Sequence, residues 1–323
     1  MRAIVYQRYG LPDVLELREV EQPAPAADEA LVRVHAASVN PVEWHTMTGA
    51  PYLVRLGGGL RAPKAERLGA DFAGTVEAVG QTVTRFRPGD DLFGIKGGAL
   101  AEYVCVREDG AVAPKPANLS FEEAAAVPIA ATTALQGLRD KGEVRSGGRV
   151  LINGASGGVG TFAVQLAKWF GADVTGVCST DKVELARSLG ADRVIDYTRE
   201  DFTRGERRYD LLLDIAGNRS WPDLRRVLEP HATLVFVGGP KTNRLIGPMG
   251  HVIGVRLAAV RSGRKVTFFL ADVNRAGLTL LSELLESGTL KPVIDRRYEL
   301  AEAAEALRYL GEGHARGKIV VTV

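Results

Sequence analysis

From Arg149 onward the chain alternates short apolar runs with helical patterns, and this alternation restricts the fold more than any other feature. RVLIN (149–153) precedes the helical stretch VGTFAVQLAKWF, DVTGVC precedes DKVELARSLG, and the apolar runs DRVIDY, YDLLLDIAG, ATLVFVGG and KVTFFL follow. Parallel strands cannot be closed by tight turns. They need crossover connections, so the alternation predicts a parallel sheet covered by helices on both faces. Six such strands predict a doubly wound α/β domain. The first ~120 residues read differently: AIVYQ, ALVRVHAASV, AGTVEAVG and AEYVCV are β-branched runs separated by turn chemistry such as RPGD at 87–90. They predict an all-β unit. Near Asn118 the texture changes to NLSFEEAAAVPIAATTALQGL, where an N-cap residue, early glutamates and an alanine-rich run mark helix and a domain boundary. After two more helical segments the chain ends in GKIVVTV, a strand suited to return to the N-terminal β unit.

A length of 323 residues supports two domains with sizeable cores. Lys and Arg number 41 against 39 Asp and Glu, a net charge of +2 with the basic residues dispersed, so a nucleic-acid stripe or polybasic membrane anchor is not expected. No run of about 18 apolar residues exists to span a bilayer, and MRAIVYQRYG lacks a signal-peptide core. Cys105 and Cys178 are too far apart for a disulfide framework and suit a reducing compartment. The expected location is cytoplasmic.

The sharpest motif is GASGGVG at 154–160, between the apolar strand and an amphipathic helix. Ala155, Gly157 and Gly160 hold the three fingerprint positions of a dinucleotide-binding turn. Small residues there let the backbone approach a pyrophosphate, whose charge rests on the helix N-terminus. The same residues spell G-x-S-x-G, with Ser156 in the nucleophile slot of an α/β-hydrolase and His231, His251 and His314 as its downstream histidine candidates. A tight strand-to-helix turn with no ligand is the third reading. The second strand bears on the cofactor. An NAD site usually ends it with an acid for the ribose 2′-hydroxyl. Here DVTGVC runs into Ser179-Thr180-Asp181-Lys182, whose hydroxyl and cation suit the 2′-phosphate of NADPH. Asp181 opposes that reading if it points inward; otherwise it is a helix cap.

Taken together, the chain resembles the medium-chain dehydrogenase/reductase superfamily, in its zinc-independent quinone oxidoreductase branch of zeta-crystallin-like proteins. The resemblance runs end to end through SVNPVEWHTMTG (38–49), LGADFAGTVEAVG (68–80), RPGDDLFG (87–94), AAAVPIAATTAL (124–135), GASGGVG, VIDY (194–197) and HARGKIVV (314–321). It implies a GroES-like β domain over 1–122, completed by 271–323, and a Rossmann domain over 123–270. It also implies that Asn40 and Thr133 line the nicotinamide end and that Gly154, Ala155, Ser156, Gly157, Gly158 and Val159 hold the pyrophosphate. Ser179, Lys182 and Tyr197 would then take the 2′-phosphate. Ala216, Gly217 and Asn218, with Val237, Gly238 and Gly239 and with Gly317 and Lys318, would close around the cofactor. Members of this branch are commonly homodimers that pair edge strands of the Rossmann sheets, for which VTFFL (266–270) is the candidate.

The zinc dehydrogenases of the superfamily draw ligands from two stretches that here read Ser38-Val39-Asn40 and Gly69-Ala70-Asp71, so no metal is expected. His45, near Glu43 and Asp71 in this reading, is expected to be a hydrogen-bonded or surface histidine rather than a ligand. Without a Lewis acid to stabilise an alkoxide, quinones and α,β-unsaturated carbonyls are better acceptors, because the arriving charge spreads onto a carbonyl oxygen. Tyr52 is the candidate proton donor, and Asn40 the second candidate catalytic residue. The expected activity is thus NADPH-dependent hydride transfer to a small quinone or enone. Alternatives are a stand-alone enoyl or 2-alkenal reductase, a non-catalytic NADPH sensor, and the Ser156 hydrolase.

Overall fold

The computed structural model describes residues 1–217, 219–239, 245, 247, 249–260 and 262–323. It divides into two compact units, Met1–Thr132 with Asp272–Val323, and Thr133–Ala271.

In the first unit, β1 (Arg2–Val5) and β2 (Glu16–Glu19) form an antiparallel pair. The long strand β3 (Glu29–Val39) ends at Asn40, where helix α1 (Pro41–Thr48) starts. Pro41 occupies the first helical position, where a missing N–H costs nothing, and Gly49 ends the helix with φ +57°, in the left-handed region. The short helix α2 (Arg55–Gly58) follows, then β4 (Asp71–Val79), β5 (Asp91–Ile95), β6 (Tyr103–Arg107) and β7 (Val112–Pro114). Helix α3 (Phe121–Ala125) is capped by Ser120, whose hydroxyl accepts from the Glu123 N–H while Glu123 reaches back to the Ser120 N–H.

Helix α4 (Pro128–Gln136) carries the dividing point between the units. The units divide at Thr132/Thr133, ten residues beyond the 122/123 point that the family resemblance implies. The reason is local: α3 and the start of α4 are tied to the β unit, with the Phe121 ring 4.3 Å from that of His35 and the Ile129 N–H donating to Asp71.

The second unit contains β8 (Arg149–Asn153), α5 (Gly158–Trp169), β9 (Asp173–Cys178), α6 (Val183–Ser188), β10 (Arg193–Asp196), β11 (Tyr209–Asp214), α7 (Trp221–Arg226), β12 (Leu228–Phe236), α8 (Met249–Ala259) and β13 (Lys265–Phe268). Among the described residues these six strands form one parallel sheet in the order β10-β9-β8-β11-β12-β13. The order reverses at β8, the doubly wound arrangement in which ligands bind at the carboxyl ends of the central strands. Leu151, Leu212, Leu234 and Phe236 from the sheet pack with Trp221, Leu224, Val252 and Val255 from the helices, all buried. Each fully buried aliphatic or aromatic side chain contributes about 1.5–3 kcal/mol relative to exposure.

The tail returns to the first unit through α9 (Arg275–Glu286), β14 (Ile294–Glu299), α10 (Ala303–Glu312) and β15 (Lys318–Thr322). Strand β15 pairs antiparallel with β3, so the sheet runs β14-β15-β3-β4-β5-β7, with β6 also bonded to β3. On α10, Ala303, Ala306 and Leu307 turn into a core with Ile4, Met47, Leu300 and Val321, while Glu305 and Arg308 pair on the exposed face.

Candidate cofactor and active site

At the end of β8, Gly154 takes φ +94°, and the N–H groups of Gly154 and Ala155 both donate to Val177 O on β9, at 3.1 and 3.0 Å. The chain then enters α5 with Gly157 as its N-cap. Gly160 is demanded by packing within the protein, since a Cβ there would lie 2.0 Å from Gly154 O. Gly157 is different. A Cβ at that position would meet nothing nearer than Gly154 O at 3.7 Å. No neighbouring atom demands its bareness, which leaves room for a group to lie against the backbone at the start of a twelve-residue helix, where N–H groups and dipole favour an anion. Gly154, Ala155, Ser156, Gly157, Gly158 and Val159 therefore fit a pyrophosphate.

Strand β9 ends at Cys178, and Ser179 begins the next turn. Backbone pairing carries β10 alongside, and the Tyr197 N–H donates to Cys178 O at 3.0 Å, which brings the exposed Tyr197 to the Ser179–Lys182 turn. No acid terminates β9. The Asp181 carboxylate accepts from Ser179 Oγ at 2.5 Å, and Thr180 Oγ1 donates to Asp196, a bond that leads the influences holding the Asp196 carboxyl below its usual range.

After β11 and β12 the loops are zipped together. Asp214 Oδ1 accepts from Asn153 Nδ2 at 2.7 Å and from the Gly217 N–H at 2.8 Å, while Asp214 O accepts from the Val237 N–H at 3.0 Å. Burial pushes the Asp214 carboxyl up against these donors. A Cβ on Gly217 would stand 2.5 Å from Gly238 O, so Ala216–Gly217 and Val237–Gly239 form one closely packed rim. Asn218 lies outside the described residues, as does much of the segment 240–248. Thr133, on α4, is nearly buried.

In the first unit, strand register gathers a second group. Pairing of β3 with β4 sets Ser38 opposite Asp71, and pairing of β15 with β3 brings Lys318 to the same place. Ser38 Oγ and Asn40 Nδ2 donate to Asp71 Oδ2 at 2.9 and 3.0 Å, and the Ile129 N–H donates to Asp71 Oδ1 at 3.1 Å. Lys318 Nζ lies 3.4 Å from Asp71 Oδ2, donates to Asn40 Oδ1 and reaches Val39 O at 3.5 Å. Glu43, in the first turn of α1, accepts from the Asn40 N–H at 2.8 Å. All five side chains are buried, none more than 3% exposed. Burial, reinforced by the nearby Asp71, pushes the Glu43 carboxyl up to about 8. Asp71 is also raised by burial, against the pull of Lys318, Asn40, Ser38 and Ile129. Gly317, at φ +110°, turns the chain into this strand.

Asn40 and Lys318 are thus held by one another. Sequence reasoning named both, but left Glu43 and Asp71 as bystanders of His45. An acid three residues after an N-cap asparagine, with proline between, is a capping pattern that marks Glu43 as turned back toward Asn40. His45 itself bonds through Nδ1 to Ala50 O at 2.7 Å. Among the described residues, no three His, Cys, Asp or Glu side chains converge as a metal site would need.

Tyr52 stands in an exposed turn after Pro51 and is 45% exposed. The Arg55 guanidinium lies 4.6 Å from its ring centre and 4.4 Å from that of Tyr9, and Arg55 Nε donates to Gly49 O at 2.9 Å. The Ser156 reading as a nucleophile is not supported. The positive-φ backbone of the turn belongs to Gly154 rather than to Ser156, His231 and His314 are exposed, and His251 rests edge-on against Phe236 with Nε2 buried and unpartnered.

Residues 26–117 match the alcohol dehydrogenase GroES-like domain and residues 189–321 the zinc-binding dehydrogenase domain. The chain is 36% identical to 2-methylene-furan-3-one reductase of Solanum lycopersicum, across 99% of this chain and 79% of that protein. The quinone oxidoreductase of Coxiella burnetii has a TM-score of 0.88 at 33% identity, covering 100% of this chain and 99% of that one. Escherichia coli quinone oxidoreductase, solved with NADPH, has a TM-score of 0.86 at 26% identity over the whole of both chains. A GroES-like β unit joined to a doubly wound dinucleotide fold defines an oxidoreductase that works with a nicotinamide cofactor. The chain belongs to the medium-chain dehydrogenase/reductase superfamily, alongside its quinone oxidoreductases.

Proposed function

We propose that this chain is an NADPH-dependent, metal-free reductase of quinones and α,β-unsaturated carbonyls. The observation that carries the reading is the bare approach at Gly157 above the start of α5, together with a β9 that ends on Cys178 rather than on an acid and is followed by Ser179 and Lys182. Gly154–Val159 would hold the pyrophosphate. Ser179, Lys182 and Tyr197 would hold the 2′-phosphate, with Asp181 engaged by Ser179. Ala216, Gly217, Asn218, Val237, Gly238 and Gly239 would close over the dinucleotide, with Asn40, Thr133, Gly317 and Lys318 toward the nicotinamide.

The bound dihydronicotinamide supplies the hydride. Asn40, locked between Lys318 and Asp71, gives the site a fixed polar wall, and Tyr52, its ring held by Arg55, is the proposed proton donor to the carbonyl oxygen. Chemistry at the zinc-ligand positions supports the metal-free reading: Ser38 and Asp71 stand there, and the Lys318 ammonium already neutralises Asp71 and would repel a second cation. Conjugated acceptors follow, because they delocalise the arriving charge without a metal. The likeness to 2-methylene-furan-3-one reductase and to the Coxiella burnetii quinone oxidoreductase supports the same substrate class.

The reading extends to a homodimer through β13, an edge strand of the parallel sheet near the exposed Ile253, Leu257, Val260 and Leu270, and to a cytoplasmic setting. No described helix is long and apolar enough to cross a membrane. Sedimentation at two concentrations distinguishes a dimer from a monomer.

The test of function follows NADPH and NADH oxidation against benzoquinone, naphthoquinone, enals and an enoyl thioester, with a chelator control. Chelator-insensitive, NADPH-selective turnover of a quinone or enone is expected. Lys182→Ala is expected to weaken NADPH about 10-fold or more while sparing NADH, as loss of a charge-assisted phosphate contact would. Tyr52→Phe should lower turnover. Equal weakening of both cofactors would remove the 2′-phosphate assignment, and turnover confined to the thioester would replace the substrate class.

A further inference from the structure

We propose that the buried cluster around Asn40 is kept neutral by a single proton resident on Glu43, and that this neutral carboxyl holds Asn40 and Lys318 in their working arrangement. Two carboxylates, Glu43 and Asp71, share a sealed volume with one cation, Lys318, and the three side chains are 2%, 0% and 3% exposed. An uncompensated charge in such a place costs far more than taking up a proton, so one carboxyl stays protonated.

Geometry assigns the proton. Four donors converge on Asp71: the Ser38 hydroxyl, the Asn40 amide, the Ile129 N–H and the Lys318 ammonium. These donors favour its charged form and oppose the burial that raises it. Glu43 receives one N–H, from Asn40, on Oε2, and its buried Oε1 has no partner. A neutral carboxyl tolerates that lone oxygen better than a carboxylate does. The groups facing Glu43 are Asp71 from β4 and Lys318 from β15. On its own helix, His45 is turned to Ala50 O. Helix α10 meets α1 where Gly311 lies under the Trp44 ring, and its Glu305 and Arg308 pair with one another at the surface.

Glu43 acts through Asn40 and is a positioning residue. Deprotonation would put two negative charges beside one ammonium and draw Lys318 away from Asn40 Oδ1. The consequence for turnover rests on the reductase reading, whereas the location of the proton does not. Two experiments keep them apart. In intact protein carrying glutamate labelled with ¹³C at the side-chain carboxyl, one resonance should remain in the protonated position at pH 7 and move near pH 8; it should be missing from Glu43→Gln. The proposal is overturned if every glutamate titrates below about pH 6, or if labelled aspartate shows the late-titrating group and Asp71→Asn removes it. This titration reads wild-type protein, so it decides even if a variant does not fold. In the second experiment, kcat/KM of the wild type against pH should fall along an alkaline limb near pH 8, and Glu43→Gln should lose that limb. The shape of the profile, not its height, is the readout. An unaltered limb in Glu43→Gln would overturn the positioning role while leaving the proton assignment to the resonance.

Discussion

The two units build their polar sites from opposite materials. The proposed cradle at Gly154–Val159 is backbone chemistry: N–H groups and a helix end, exposed by omitting side chains. The cluster at Asn40 is side-chain chemistry, with five polar groups buried and bonded to one another. A backbone site tolerates loss of side chains and fails when a Cβ is added. A buried side-chain cluster fails when any one charge is removed, because its partners are left uncompensated.

The largest effect expected from this contrast is Lys318→Met. Removing one partner of a buried ion pair costs about 3–5 kcal/mol. The loss should shrink as pH falls, because Asp71 can then take a proton in place of the missing cation. Denaturant unfolding of both proteins at pH 5 and pH 8 measures it. A loss under 1 kcal/mol at pH 8 would mean that the cluster is wetter than its burial implies.

Gly160→Ala breaks the other site by addition. Its Cβ would fall 2.0 Å from Gly154 O and 2.7 Å from the Ala155 carbonyl carbon, and backbone cannot rotate away as a side chain can. A destabilisation of about 1–3 kcal/mol is expected, with weaker cofactor binding because α5 is pushed off the turn. Thermal unfolding with and without NADPH separates the two effects.

A pH-dependent effect sharpens the side-chain half. The Glu43 carboxyl is raised from the ordinary 4.5 to about 8, so the folded state holds a proton there that the unfolded chain releases. Stability from this group is complete below about 4.5 and is lost as pH rises toward about 8, with a slope of about 1.4 kcal/mol per pH unit. Glu43→Gln should flatten the stability profile in that window. An unchanged slope would assign the proton uptake elsewhere.

Most of the fold was legible because periodicity and turn chemistry are local. The six strands from RVLIN to KVTFFL, the glycine turn after the first of them, and the return of GKIVVTV to the β unit all follow from such patterns. The unit boundary is less legible, because composition records where helix begins and not which unit that helix is bonded to; the Ile129 bond to Asp71 ties the start of α4 to the β unit. The five-membered cluster was hidden for a related reason. Ser38 and Asp71 are 33 residues apart, Lys318 is 247 residues beyond Asp71, and only strand register joins them. Read singly, a lysine before IVVTV and an aspartate before FAGTV look like ordinary strand-end charges.

The finest test of the comparison is Gly157→Ala, where the two halves of the argument give opposite expectations for stability and binding. Gly157 has φ −84° and ψ 179°, extended backbone that alanine adopts without strain. Exchange of an N-cap glycine for alanine costs about 0.5–1 kcal/mol, while the reduced freedom of the unfolded chain returns about 0.4–1 kcal/mol. The midpoint of unfolding should therefore scarcely move, in contrast to Gly160→Ala three residues later. Cofactor affinity should still fall about 10-fold or more, because the new methyl would stand where the proposed pyrophosphate site needs bare backbone. Fluorescence titration with NADPH measures that loss. Undiminished affinity would move the pyrophosphate off Gly157, and a fall in stability matching that of Gly160→Ala would show that the protein itself, rather than its cofactor, requires the space.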